Sequence, residues 1–212
     1  MRTANSTTYP SLQFAVLSES EIQDIHLGTL EVLRRTGIRF HHRQALDMLK
    51  EAGSYVSDGN LVRIPSALVE EALGSAPSRI VMCERGGEPA MYLEGSKVYF
   101  GTGSDCLNFL DPETGEHRPF TLADIAKGYR LCDALPNIHF TMSIGLPSDV
   151  DPEIAYDAQM ASMLHNTTKP IVFVSNDRSS CQRAIDMAAA VAGGYEALAE
   201  QQHILLYSEP SS

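Results

Sequence analysis

From residue 138 the chain repeats one unit: an apolar strand ending in small polar residues, then an amphipathic helix, then the next strand. The strands Ile138–Gly145, Ile171–Asn176 and Ile204–Glu209 begin at positions 138, 171 and 204, a constant step of 33 residues. That step is too long for a hairpin and matches one strand plus a helical crossover, so it predicts parallel strands. Val98–Gly103 reads as an earlier strand of the same series. Thr121 then caps a helix in which Leu122, Ile125, Ala126, Tyr129 and Cys132 share one face. Further helices are predicted from Asp151-Pro152 to about His165 and from about Ser179 to Ala192. The series thus holds four strands with three helices between them.

Parallel strands joined by right-handed crossovers form either an open doubly wound sheet or a closed eight-stranded barrel. Gly101-Thr102-Gly103-Ser104-Asp105-Cys106 has two glycines of the dinucleotide-binding fingerprint but lacks the third, and it leads into a turn-rich excursion at Asp111-Pro112-Glu113-Thr114-Gly115. No phosphate-binding G-x-x-x-x-G-K-[ST] loop occurs. The expected fold class is therefore α/β: an incomplete (β/α)8 TIM-type barrel of about four βα units over residues 96–212. Ser208 to Ser212 stand where a following helix should begin, so the chain is expected to be the first half of a longer fold, apparently truncated.

Residues 1–95 read as an α+β N-terminal region. Ser18 and Glu21 form a capping box for a helix carrying Ile22, Ile25, Leu30 and Leu33, stopped at Gly37. A second helix runs from about Arg43 to Ala52. Tyr55-Val56 and Leu61–Ile64 flank Asp58-Gly59, a hairpin signal, and Pro65 opens a helix to about Leu73. Ile80–Met82 and Met91–Leu93 follow as strand-like segments.

A net charge of -11 and a pI near 5.0 exclude a nucleic-acid surface, which needs clustered Lys and Arg. No stretch reaches the ~20 apolar residues of a membrane span, and the polar Met1 to Pro10 lacks the apolar core of a signal peptide. Cys83, Cys106, Cys132 and Cys181 are widely spaced, without a C-x-x-C pair, and read as free thiols in a reducing cytoplasm.

In a barrel the functional groups lie where strands end, on the C-terminal face. This selects Asp105 after the first strand, Ser143 and Gly145 after the second, Ser175 and Asn176 after the third, and Tyr207, Ser208 and Glu209 at the fourth. Asp105 is the candidate catalytic carboxylate. Glu209, Ser175, Asn176 and Tyr207 are candidate substrate-binding residues. Lys169 precedes its strand, on the structural face, and reads as part of a helix-to-strand turn rather than a Schiff-base lysine. His41-His42 reads as an exposed helix cap, and no set of metal ligands has recognisable spacing. Tyr99, Phe100, Phe140, Phe173 and Tyr207 are the strand aromatics available for an ammonium cage.

Several stretches together resemble the trimethylamine methyltransferase family: Ile25-His26 through Gly37-Ile38-Arg39-Phe40, Leu61-Val62-Arg63-Ile64-Pro65 through Glu70-Glu71-Ala72-Leu73, Arg118-Pro119 through Thr121 and Asp124, Asn166-Thr167-Thr168-Lys169-Pro170, and Tyr207-Ser208-Glu209-Pro210. The resemblance implies a TIM barrel about twice this length. It also implies transfer of a methyl group from a methylated amine, trimethylamine or a betaine-like quaternary amine, to the cobalt of a corrinoid protein. No cofactor is then bound directly; the corrinoid (cobalamin) sits on that partner protein. The region where pyrrolysine lies in some members falls outside this chain. The alternative is a non-catalytic half-barrel module that binds a ligand or assembles with another chain. A half barrel presents unpaired edges, so self-association as a homo-oligomer is expected.

Overall fold

The computed structural model describes residues 15–175 and 177–208, in two compact units that divide between Pro77 and Ser78. In the first unit, α1 (Glu19–Glu31) begins at the expected capping box: Glu21 N–H donates to Ser18 Oγ and Ser18 N–H donates to Glu21 Oε2. A π-helical turn (Val32–Thr36) follows and stops at Gly37, whose φ is 78°. A Cβ there would lie 2.4 Å from the Val62 carbonyl oxygen, so only glycine allows the close approach. After it come β1 (Ile38–Arg39), α2 (Arg43–Glu51), β2 (Tyr55–Ser57), β3 (Leu61–Arg63) and α3 (Ser66–Ser75). The strands form an antiparallel sheet in the order β1-β3-β2. The predicted turn has positive φ at both Asp58 and Gly59. His42 caps α2, its Nδ1 accepting from Ala45 N–H, as read from the sequence. The apolar stripe of α1 is only partly used: Leu30 is buried, while Ile22 and Ile25 remain 49% and 59% exposed.

The second unit runs through β4 (Ile80–Cys83), β5 (Pro89–Leu93), β6 (Asn108–Leu110), β7 (His117–Pro119), α4 (Leu122–Ala134), β8 (Thr141–Met142), α5 (Ala155–Asn166), β9 (Ile171–Val174), α6 (Arg178–Ala192), α7 (Tyr195–Glu200) and β10 (Ile204–Tyr207). Its centre is a parallel sheet in the order β8-β9-β10, with Thr141 opposite Ile171 and Ile171 opposite Ile204. Sequential strands are therefore spatial neighbours. The helical crossovers lie where predicted, except that Pro152–Ile154 forms a separate 3₁₀ turn ahead of α5 and α7 is an additional short helix.

The first strand of the series departs from expectation. Residues 101–106 run parallel beside residues 140–145, but their backbone pairing is reduced to isolated bridges, Gly101 with Phe140 and Cys106 with Gly145. Two residues explain the break. The Thr102 hydroxyl replaces the backbone ladder, accepting from Met142 N–H at 2.7 Å and bonding the Met142 carbonyl at 2.9 Å. Asp105 adopts φ 46°, which no strand can hold. For the same reason the predicted second strand is regular only at β8. Among the described residues the fold is mixed α/β with four small sheets, none closed into a barrel.

Alternation sorts the faces of the parallel sheet. Ile171 and Phe173 are buried with Ile125 and Tyr129 of α4, Met160 and Met163 of α5, and Ala184 and Ala188 of α6. Ile204 and Leu206 of β10 pack on that same cluster. The alternate residues Met142, Val172, Val174, Leu205 and Tyr207 thus form an opposite face that is half-buried.

The β4–β5 hairpin, placed by the sequence reading with residues 1–95, belongs to the second unit and seals the base of this sheet. Cys83 N–H donates to Gln202 O at 2.8 Å, Arg85 N–H donates to Thr168 O at 2.8 Å, and Met82, Cys83 and Met91 are buried. Next to this seam His203 is buried, with Nε2 unpartnered. Burial pushes its pKa down, opposed by the Gln201 backbone and reinforced by Arg85. A histidine held neutral in the folded state, with an unfolded pKa of about 6.5, contributes stability that is present above that value and lost as pH falls below it. Melting temperature is expected to drop between pH 7 and pH 5, and this drop should be visibly smaller in His203→Gln, as thermal melts across that range would check.

A latch secures the β6–β7 hairpin. The Arg118 guanidinium pairs with Asp111 in the hairpin turn and with Asp124 in the first turn of α4, both at 2.7 Å, and lies over the Phe109 ring. Arg118 holds Asp124 well below the usual carboxylate range. Phe109 in turn stacks on Phe120, with ring centroids 4.4 Å apart.

Candidate functional site

Asp105 lies at the C-terminal end of the irregular first strand, beside the end of the second. Its N–H donates to Ser143 O at 2.6 Å, and Cys106 N–H donates to Ile144 O, so the backbone turns out of the strand while still tied to its neighbour. The side chain leans onto α5, where Gln159 Nε2 donates to Asp105 Oδ1 at 3.3 Å and to Gly145 O at 2.7 Å. Gln159 is completely buried. The Ser143 hydroxyl is buried beside the same carboxylate, near enough to favour its charge yet outside good hydrogen-bond geometry.

Burial raises the Asp105 pKa, while Ser143 and Gln159 pull it back down. The charge is felt in turn by Tyr129 of α4 and Tyr156 of α5, whose hydroxyls are pushed upward first by burial and then by the nearby carboxylate. Tyr156 also meets Phe173 edge to face at 6.5 Å. Among the described residues no Lys, Arg or His forms an ion pair with Asp105. A half-buried carboxylate without a cationic partner is suited to a cationic ligand.

The remaining candidates fall differently. Ser175 and Tyr207 adjoin, with Ser175 N–H donating to Tyr207 O at 3.1 Å. They stand two and three strands from Asp105, roughly 10 and 14 Å at ordinary strand spacing. Asn176 and Glu209 lie outside the described residues. The strand aromatics do not converge: Tyr99 OH accepts from Tyr92 N–H, Phe100 is 56% exposed, the Phe140 ring fills the space above Gly101, and Phe173 is in the core. Lys169 Nζ donates to the Cys132 and Leu135 carbonyls at 2.6 Å each, closing the C-terminus of α4, the structural role read from its position. Among the described residues no group of three or more His, Cys, Asp or Glu side chains comes together for a metal ion.

Gln159 and Tyr156 were not singled out from sequence, and Tyr129 was read only as part of the apolar face of α4. One signal was available. Gln159 follows Tyr156 by three residues and precedes Met163 by four, so a polar amide interrupts the apolar face of α5.

A sequence profile for trimethylamine methyltransferase (MTTB) matches residues 2–208. The chain belongs to the trimethylamine methyltransferase family. Within it, the chain is 34% identical over 188 residues to trimethylamine methyltransferase MttB of Desulfitobacterium hafniense, covering 88% of this chain and 38% of that protein. It is 26% identical over 192 residues to glycine betaine methyltransferase of the same species, covering 89% and 39%. It is 31% identical over 202 residues to MttB of Methanosarcina barkeri, covering 91% and 40%. The chain therefore spans about 40% of the length of these family members. Among the described residues no helix is long and apolar enough to cross a membrane.

Proposed function

We propose that residues 96–212 are the first half of a (β/α)8 TIM-type barrel, and that the full-length protein moves a methyl group from a methylated amine to the cobalt of a corrinoid protein. The parallel, sequentially neighbouring strands support the barrel, because that order is what a closing series of βα units produces. The β4–β5 hairpin then closes the end of the barrel opposite the site. The apolar second face of the sheet supports self-association or coverage by further chain, since parallel sheets are covered on both faces. The four free cysteines fit a reducing cytoplasm.

The observation that carries the functional reading is Asp105: a carboxylate at a strand's C-terminal end, half-buried, and with no cationic side chain paired to it among the described residues. Asp105 would hold the positive charge of the ammonium group, and burial strengthens that attraction by lowering the local dielectric. Ser175 and Tyr207, with Asn176 and Glu209, would line the substrate side at the later strand ends. The corrinoid, carried by the partner protein, supplies a reduced cobalt nucleophile. This chain's residues bind and orient the amine so that one C–N bond points toward that partner; when the methyl leaves, nitrogen keeps the bonding pair and departs as a neutral amine. No residue described here is assigned to the cobalt.

The full-length protein, given a reduced corrinoid protein and trimethylamine, dimethylamine, glycine betaine or tetramethylammonium in turn, is expected to methylate the corrinoid with at least one of them. The visible spectrum of the corrinoid reports this directly. An unchanged spectrum with every amine would overturn the reading.

A further inference from the structure

Gln159 is a costly residue for a protein core. Its side chain is completely buried, on the helix that also carries the core residues Met160 and Met163, where a methionine would fill similar space without an amide to satisfy. Its Nε2 has two acceptors, Asp105 Oδ1 and Gly145 O, and its Oε1 is buried with no partner. The opposite amide orientation would set Oε1 against a carboxylate oxygen and a carbonyl oxygen, so only the observed one is compatible with its surroundings. One half of the amide is thus satisfied at the expense of the other. A buried acceptor left unpaired requires an explanation beyond stability.

The bond geometry supplies one. Gly145 O, at 2.7 Å, anchors the amide to the end of the second strand, and the second amide proton reaches across to the carboxylate on the first. We propose that Gln159 is the positioning residue of this site, holding the Asp105 carboxylate at the strand end in the orientation that meets a cationic ligand. The groups facing that carboxylate are Gln159 and Tyr156 from α5, Tyr129 from α4 and Ser143 from the second strand. Gln159 is the one of these whose side chain lies within hydrogen-bond distance of it, at 3.3 Å. Removing that donor leaves burial acting on the charge with less opposition. The proposal rests on the reading of Asp105 as the ligand carboxylate.

The test separates the two ideas. In this chain with 13C-labelled aspartate and 15N-labelled glutamine, the Gln159 side-chain amide protons are expected to shift with pH at the same midpoint as the Asp105 carboxyl carbon. In Gln159→Met and Gln159→Glu, both close in size, that carbon should titrate at a higher pH than in the wild type, while Met160→Leu, a core change that touches no polar group, should leave it in place. An amide signal indifferent to the Asp105 titration overturns the proposal, even if neither Gln159 variant folds. So does an unmoved Asp105 midpoint in folded variants. In the full-length protein, Gln159→Met should cut methyl transfer about tenfold and move the acid limb of its pH profile upward with the Asp105 midpoint. If amide and carboxyl titrate together yet Asp105→Asn leaves methyl transfer intact, the positioning stands and the functional reading of Asp105 fails.

Discussion

Under the proposed function, asparagine in place of Asp105 in the full-length protein is expected to cripple methyl transfer and stabilise the fold at once. A loss of roughly 100-fold or more in rate is the usual scale for removing a group that stabilises charge in a desolvated site. The stability gain follows from the titration. Burial raises the folded-state pKa of Asp105 above its unfolded value of about 3.9, so this carboxyl's favourable contribution is complete below that value and lost as pH rises through the folded pKa. Among the described residues no cation balances the charged form of this carboxyl, and a neutral amide of the same shape avoids the cost of burying that charge. Asparagine also tolerates the left-handed backbone at φ 46°, so the exchange adds no strain. Melting temperature should rise by about 2–5 °C at pH 7, and the advantage should vanish below pH 4. A destabilised Asp105→Asn protein, or normal turnover with every amine, would remove Asp105 from the site.

The second large effect is expected at Gly145, through packing alone. A Cβ there would sit 2.5 Å from the Phe120 ring. That ring cannot easily withdraw, because it is buried and stacked on Phe109, which is itself covered by the doubly paired Arg118. Gly145→Ala should therefore cost about 1–3 kcal/mol, the range for overfilling a packed core. For a chain of this size that is a fall of roughly 2–12 °C in melting temperature. Gly103→Ala is the matched control, since a Cβ there meets nothing within 4 Å and the backbone is not left-handed. Because the Gly145 carbonyl anchors Gln159, the same alanine should also disturb the Asp105 titration.

The repeat of strand and helix was legible because its signal is long: three apolar runs at a fixed step lead to β8, β9 and β10 with little freedom left. Caps were legible because they are local, as Ser18 with Glu21 and Thr121 at the head of α4 show. The first strand was not. Its regularity is lost to one threonine hydroxyl and one positive φ, features that apolar pattern does not register. The candidate site followed the same division. Asp105 could be selected by its place after a strand, but the tyrosines and the amide that surround it come from two helices later in the chain, and only the packing of α4 and α5 on the sheet brings them to it. The packing of hairpin 80–93 was illegible for a related reason, since its partners, Thr168 and Gln202, lie far along the chain.

That hairpin sets an order of events. The bond from Cys83 to Gln202 joins positions roughly 120 residues apart, so the ring it closes carries one of the larger entropic penalties in the unit and cannot form until β10 is in place. On the ribosome, β4 and β5 emerge long before their acceptor exists. They must wait as a bare pair of strands, and Met82, Cys83 and Met91, buried at the end, stay wet in the meantime. A polypeptide begun at residue 96 would never acquire this seal, and the starts of β9 and β10 would be left open to solvent.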